Sequence, residues 1–371
     1  MTLNSHLVRL VLLLFVLKVV YVIYGYIYLG MPSGFNFFSL IELFNKNDAG
    51  WYQNIVENGY PAINSIQELG GDHNGKNYGQ SSWAFFPLYP LAIKILCILF
   101  SLNFNQAAFI FSLLLPILLV VISYHYFSKL SGDKNFGFFL NVFFLCFPYS
   151  IYIHFYYTES LYILLVLSCF YTLYLDKKVL FSLIFSLLVV VRPNAILCLI
   201  PLFFYMYELS NRNFKQNLIL ANLFLFMPGI ATYLIYLYYQ YLHTGSFLAF
   251  SLAQKGWGKQ FVFPLITLFN VGNIESQIGS AISLIAILTT VVFTRSWPLS
   301  WKVYTWQNLI LPLSAGSAIS MGRYISPIFP IFYSACQFLV KREYKYIIVF
   351  LLLISQLILY GFWLSSHPLS Y

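Results

Sequence analysis

The chain has 371 residues, 60% of them hydrophobic and 8% charged, with a formal net charge of +9 and a mean hydropathy of +0.77. Soluble domains carry roughly 25% charged residues. No soluble fold of this size hides so much apolar surface, so composition excludes a water-soluble enzyme or carrier and predicts a polytopic, all-helical membrane protein. The positive balance does not point to nucleic acid, because Lys and Arg fall in small clusters between apolar runs, as charge asymmetry across a bilayer requires.

In chain order, apolar spans are predicted at 7–29, 106–127, 136–153, 158–175, 179–191, 194–209, 217–241, 278–295, 302–320, 324–340 and 345–364. Runs of this length exclude a β-barrel, whose strands alternate every second residue. The first span is too long for a signal-peptide core and lacks a small-x-small cleavage pattern, which predicts a retained helix. The 179–191 run falls short of the ~20 residues a crossing takes. The run at 88–102 is ambiguous by itself, since it is short, opens with Pro87 and Pro90, and carries Lys94.

Charge resolves that ambiguity. If 88–102 lies in the interface, the N-terminal face collects Arg9, Lys129, Lys134, Lys177, Lys178, Arg212, Lys215, Arg295, Lys302, Lys341, Arg342 and Lys345. The opposite face then holds only Lys46, Lys76, Arg192, Lys255, Lys259 and Arg323. If 88–102 crosses, every later loop flips and the bias disappears. The expectation is one integral-membrane domain, 1–371, of about eleven transmembrane helices plus interfacial helices, with a cytoplasmic N-terminus.

Two non-cytoplasmic stretches are large. Residues 30–105 hold the interfacial helices, and their 30–87 part is acidic, with Glu42, Asp48, Glu57, Glu68 and Asp72 against Lys46 and Lys76. The 64–80 segment is polar and glycine-rich and is expected to be mobile. Residues 242–277 carry His243, Lys255, Trp257 and Lys259 among glycines and phenylalanines, which suits the headgroup layer. Cys97, Cys146, Cys169, Cys198 and Cys336 stand singly, without C-x-x-C spacing, so neither a disulfide framework nor a zinc site is expected.

Under this topology Asp48, Glu159, Arg192, the 242–277 loop and Arg323 all fall on the non-cytoplasmic face. Asp48, in Asn47-Asp48-Ala49-Gly50, is either a turn or N-cap residue or a base at the bilayer surface. In the second case it heads an amphipathic helix with Trp51, Ile55 and Tyr60 on or near one side. Glu159, in Tyr157-Thr158-Glu159-Ser160, is either a favourable charge at a helix N-terminus or a functional acid at membrane depth. Arg192 and Arg323 each open a span. They either snorkel to headgroups or grip a phosphate through paired hydrogen bonds. His73 with Glu68 is too small a donor set to predict a metal, and His125 and His154 read as packing residues.

The combination has a likeness. An Asp in the first non-cytoplasmic loop, then Trp51-Tyr52, Asn58-Gly59-Tyr60 and Phe85-Phe86-Pro87-Leu88-Tyr89-Pro90, resembles the PIG-V mannosyltransferases, polytopic GT-C glycosyltransferases with a polyprenyl-phosphate sugar donor. Tyr157-Thr158-Glu159-Ser160 is similar to that family's Tyr-Thr-Glu-Ser segment, and Arg323-Tyr324 with Phe329-Pro330 resembles its C-terminal arginine motif. The likeness runs from about 44 to 332. It departs at Asn47, where the family has an aromatic residue, and at Arg192-Pro193-Asn194-Ala195, where the family tends to Arg-Ser-Asn-Gly. The chain is also shorter than members acting on glycolipid anchors, and these departures bear on acceptor and sugar.

The resemblance implies a GT-C membrane glycosyltransferase, inverting and metal-independent, with no cofactor. It would move a hexose, by likeness mannose, from a polyprenyl-phosphate sugar to a glycolipid or glycan acceptor at the non-cytoplasmic face of a bacterial inner membrane or the endoplasmic reticulum. Asp48 would be the general base and Glu159 would orient hydroxyls. Arg323, with Arg192 or Lys255, would hold the donor phosphate. Trp51, Tyr52, Tyr89, Tyr157, Tyr324 and His243 complete the expected substrate contacts, and the other partners are membrane lipids. The rivals are a transporter or flippase of lipid-linked or small polar substrates, and an inactive scaffold subunit.

Overall fold

The computed structural model describes residues 5–28, 30, 37–63, 80–210, 223–270 and 272–367. Glu68, Asp72, His73, Lys76, Arg212 and Lys215, all weighed above, lie outside the described residues. Every regular element among the described residues is helical. The amino-terminal half comprises α1 (Ser5–Tyr28), α2 (Phe37–Glu42), α3 (Asp48–Asn58), α4 (Leu88–Phe100), α5 (Phe104–Ser131), α6 (Lys134–Cys146), α7 (Glu159–Tyr174) and α8 (Lys178–Leu188). Then follow α9 (Leu199–Leu209), α10 (Met227–Thr244), α11 (Ala249–Ala253), α12 (Pro264–Phe269) and α13 (Ile274–Thr294). The chain closes with α14 (Leu299–Leu313), α15 (Met321–Ile325), α16 (Phe329–Leu339) and α17 (Lys345–Leu364).

Four of these, α1, α5, α13 and α17, are long and apolar enough to cross a membrane. Their outward faces carry Leu12, Val16 and Val19 on α1, Ile285, Leu288 and Val292 on α13, and Ile347, Phe350 and Ile358 on α17, all exposed. Such a surface is a liability in water and a matched wall in hydrocarbon, so the architecture is compatible with a membrane-embedded protein. The expected 136–153 span is not one rod. It breaks at Phe147–Pro148 into α6 and a 3-10 helix, Pro148–His154, bent by 88°. Pro148 removes a backbone donor and cannot continue α6. The 324–340 span is likewise interrupted, with the short α15 preceding α16.

Helix α7 is the axis of the core. Every residue in it except Tyr171 and Tyr174 is buried, and it packs on α5, α8, α9 and the 148–154 turn. A helix apolar on all sides belongs inside. Its aromatic neighbours, among them Phe155, Tyr205, Tyr304 and Phe329, join one continuous cluster reaching from α1 to α17. Helix α3 lies on α4 and buries Ala49, Tyr52, Ile55 and Val56. The inner partner of Ile55 is therefore Tyr52, while Trp51 sits to the side against Phe85, with ring centroids 5.8 Å apart.

One interior charge escaped the sequence reading. Lys18, midway along α1, is 3% exposed. Its ammonium donates to the His154 carbonyl at 2.6 Å and to Ser112 Oγ at 3.0 Å, and lies 3.8 Å from the centre of the Phe44 ring. Carbonyl, hydroxyl and π-face together do the work of a counter-ion and tie α1 to α5 and the 148–154 turn.

Candidate functional site

The site grows from the start of α7. The chain leaves the 148–154 turn through Phe155-Tyr156-Tyr157-Thr158 and enters the helix at Glu159, whose side chain is 0% exposed. A carboxylate there gains from the helix dipole but could not stay ionised in an apolar interior without cations. Two arginines supply them. Arg192 Nη2 lies 2.7 Å from Glu159 Oε1, and Arg323 Nε donates to the same oxygen in a very short contact. Arg192 Nε also donates to Thr158 Oγ1 at 2.8 Å.

Arg323 is shared. Its Nη2 lies 2.6 Å from Asp48 Oδ2, so Asp48, Arg323, Glu159 and Arg192 form one chain of alternating charge drawn from four separate parts of the fold. Exposure falls inward along it: Asp48 is 28% exposed, Arg323 17%, and Glu159 0%. The guanidinium of Arg323 rests over the rings of Tyr157 and Tyr152, at 4.7 and 5.3 Å. Arg192 rests over Tyr162, at 5.1 Å. Ring faces on these cations fix the forks in plane.

Local chain geometry explains why Asp48 points inward. Asn47 has φ +55° and ψ −117°, a conformation a non-glycine residue holds at a cost of about 1–3 kcal/mol. The turn is pinned on its N-terminal side. Tyr157 Oη donates to the Lys46 carbonyl at 3.1 Å, and Lys46 Nζ donates to the Leu364 carbonyl at 2.6 Å. Asp48 itself is the first residue of α3, and its carboxylate serves Arg323. Arg323 is aimed in the same manner. Gly322 beside it packs flat on Tyr149, whose ring carbons would lie as close as 2.2 Å to an added Cβ.

The expected aromatics divide. Tyr52 is buried on α3 at 4.9 Å from the Tyr89 ring. Burial raises the Tyr52 phenol above its ordinary range and Asp48 adds to this, so it stays a neutral donor. Tyr89 is buried, and its hydroxyl has no hydrogen-bond partner among the described residues. Trp51 meets Phe85 and, edge-on at 5.5 Å, Trp257 of the second loop. Two expected residues are not brought in. Lys255 is exposed and joins no ion pair among the described residues, while Lys259 takes its place, donating to Tyr324 Oη at 3.5 Å. His243 packs at a tilt on Tyr239, with ring centroids 4.3 Å apart, and on Trp83 at 6.0 Å. That cluster around Tyr60 is held by its own contacts.

Two groups matter that no sequence pattern disclosed. Among the described residues Glu159 Oε2 is buried without a hydrogen-bond partner, because both arginines converge on Oε1. Lys259 adds a cation that pairs with no carboxylate among the described residues and reaches the Tyr324 hydroxyl. A buried carboxylate oxygen left open can accept from a hydroxyl, and a cation in electrostatic reach of the same phenol as the two arginines favours an anion. Among the described residues no three His, Cys, Asp or Glu side chains gather as a metal-ligand set, and the five cysteines are free thiols.

Fold and site define an all-helical protein, compatible with membrane embedding, with a partly buried four-residue ion network at the head of its central helix. Compared with known proteins, the chain matches no family model and no curated protein.

Proposed function

We propose that this protein is a GT-C type membrane glycosyltransferase, similar to the PIG-V mannosyltransferases, that transfers a hexose from a polyprenyl-phosphate donor. The single observation carrying the reading is the convergence of Asp48, Glu159, Arg192 and Arg323, read from distant motifs, into one partly accessible network. Eleven crossings, a cytoplasmic N-terminus and a site facing the opposite compartment complete the proposal.

In the reaction the acceptor hydroxyl oxygen attacks the anomeric carbon and its proton passes to Asp48. The bond from that carbon to the phosphate oxygen breaks on the far side, with inversion. The polyprenyl phosphate leaves as an anion, stabilised by Arg323 with Lys259. Glu159 Oε2 accepts from a sugar hydroxyl and orients the ring. Trp51 and Phe85 offer apolar faces to the acceptor.

The test is transfer in reconstituted membranes with a labelled polyprenyl-phosphate hexose. Asp48→Asn abolishes new glycoside while the protein remains folded; undiminished turnover removes Asp48 from the base role. Arg323→Ala raises the donor concentration needed, and an effect on protein yield alone returns Arg323 to a structural part. One observation, the buried mid-helix cation Lys18, favours a transporter instead, since ionisable groups at depth mark such paths. A transporter moves the label across the bilayer without forming a glycoside.

A further inference from the structure

The network as it stands blocks its own base. Asp48 Oδ2 is 2.6 Å from Arg323 Nη2, so the guanidinium occupies the carboxylate oxygen that an acceptor hydroxyl would have to reach. The same guanidinium is the group placed to meet a phosphate. Arg323 cannot leave Glu159 cheaply, because that carboxylate is fully buried, whereas Asp48 is 28% exposed and can turn to water. Lys259 donates to the hydroxyl of Tyr324, the residue after Arg323, and that phenol lies within electrostatic reach of Arg323, Arg192 and Asp48 as well.

We propose that the Asp48–Arg323 ion pair is a lock opened by the donor: the singly charged phosphodiester of the donor, seated on Arg323 and Lys259, displaces the Asp48 carboxylate and frees it to take the acceptor's proton. The proposal rests on the phosphate-donor reading above and adds an order of events to it. In the empty protein Asp48 is held and the site is idle. When the phosphate arrives, Arg323 keeps its Nε on Glu159 and exchanges one carboxylate for one phosphate at Nη2. Charge is conserved at the guanidinium, so the exchange requires no new buried charge. Asp48, released on the solvent side, is positioned at the start of α3 beside Trp51, where the acceptor would lie. The pinned turn at Asn47 limits how far it moves. Donor first, acceptor second is the binding order that results, and water entering before the donor meets no free base.

The experiment measures binding of a short prenyl phosphate to purified full-length protein in nanodiscs, with the corresponding prenyl alcohol as control. Asp48 competes with the phosphate, so Asp48→Asn binds prenyl phosphate roughly fivefold tighter than the parent, the worth of one partly exposed ion pair. Asp48→Glu keeps the competitor and restores parental affinity, while Lys259→Gln weakens binding. Thermal midpoints measured on the same samples confirm that each variant is folded. Unchanged or weaker binding by folded Asp48→Asn overturns the lock and leaves the donor reading standing. A parent that binds prenyl phosphate no better than prenyl alcohol overturns the donor reading and the lock with it. Inorganic phosphate in a parallel arm reproduces the order of the variants if the headgroup alone opens the pair. An order confined to prenyl phosphate assigns the lock to the lipid-borne group.

Discussion

Replacing Glu159 by Gln tests whether the network is held together from its buried centre. Oε1 meets two arginines whose side chains are only 13% and 17% exposed. Two unit charges about 4 Å apart attract by about 4 kcal/mol at the effective dielectric of a protein site. Removing one partner of a buried pair costs about 3–5 kcal/mol, because the other charge is left uncompensated. Glu159→Gln therefore destabilises by that order, and Arg192→Gln by somewhat less, since Arg323 still balances the acid. The double variant loses no isolated charge on that side, so it falls short of the sum by about 1.5–3 kcal/mol, within the range for residues in contact. Detergent-solubilised protein, unfolded by heat and followed by intrinsic tryptophan fluorescence, gives the four midpoints of the cycle. A Glu159→Gln cost under about 1 kcal/mol, or strict additivity in the double variant, refutes an ion network whose stability depends on Oε1.

Two further outcomes follow from packing. Lys18→Met removes a buried charge while keeping a long apolar stem, so its thermal midpoint is no lower than the parent's; a clear drop means that the carbonyl, hydroxyl and ring contacts repay the burial. Gly279→Ala places a methyl 1.9 Å from the Ala318 carbonyl oxygen, a backbone atom that cannot swing aside. It lowers stability by about 1–3 kcal/mol and, by shifting the 315–320 segment ahead of Arg323, weakens prenyl phosphate binding; parental values for both show that α13 has room to move.

Much of the site was legible because charges are rare in this chain and each must be explained. Asp48, Glu159, Arg192 and Arg323 stood out against apolar surroundings, and positive-inside counting put them on one face before any contact was known. Snorkelling was the plainer account of both arginines, and the structure replaces it, since each guanidinium turns inward to Glu159. Lys255 and Lys259 were beyond resolution by sequence. They are four residues apart in an irregular loop, and only the 3-10 turn Gln254–Trp257 with the following glycine decides which one reaches Tyr324. His243 was drawn in by its loop, but it lies in the last turn of α10 and packs on its own helix's Tyr239. Lys18 was missed because hydropathy averages it away. The 88° elbow was missed for a similar reason, because an apolar run records burial and not direction. Pro148 was the visible signal there.

The enclosure of α7 has a consequence for how a substrate travels. Sixteen residues rise about 24 Å, some 6 Å less than a bilayer's hydrocarbon thickness. A helix shielded by its neighbours at all but Tyr171 and Tyr174 owes little to that thickness, so it can stop short of the surface. Its acidic end would then lie below the leaflet surface, reached from outside through the more exposed Asp48 and Arg323. Under the proposed function, a donor anchored by a long isoprenoid tail would bring its polar head sideways to those two residues and never surrender its tail to water.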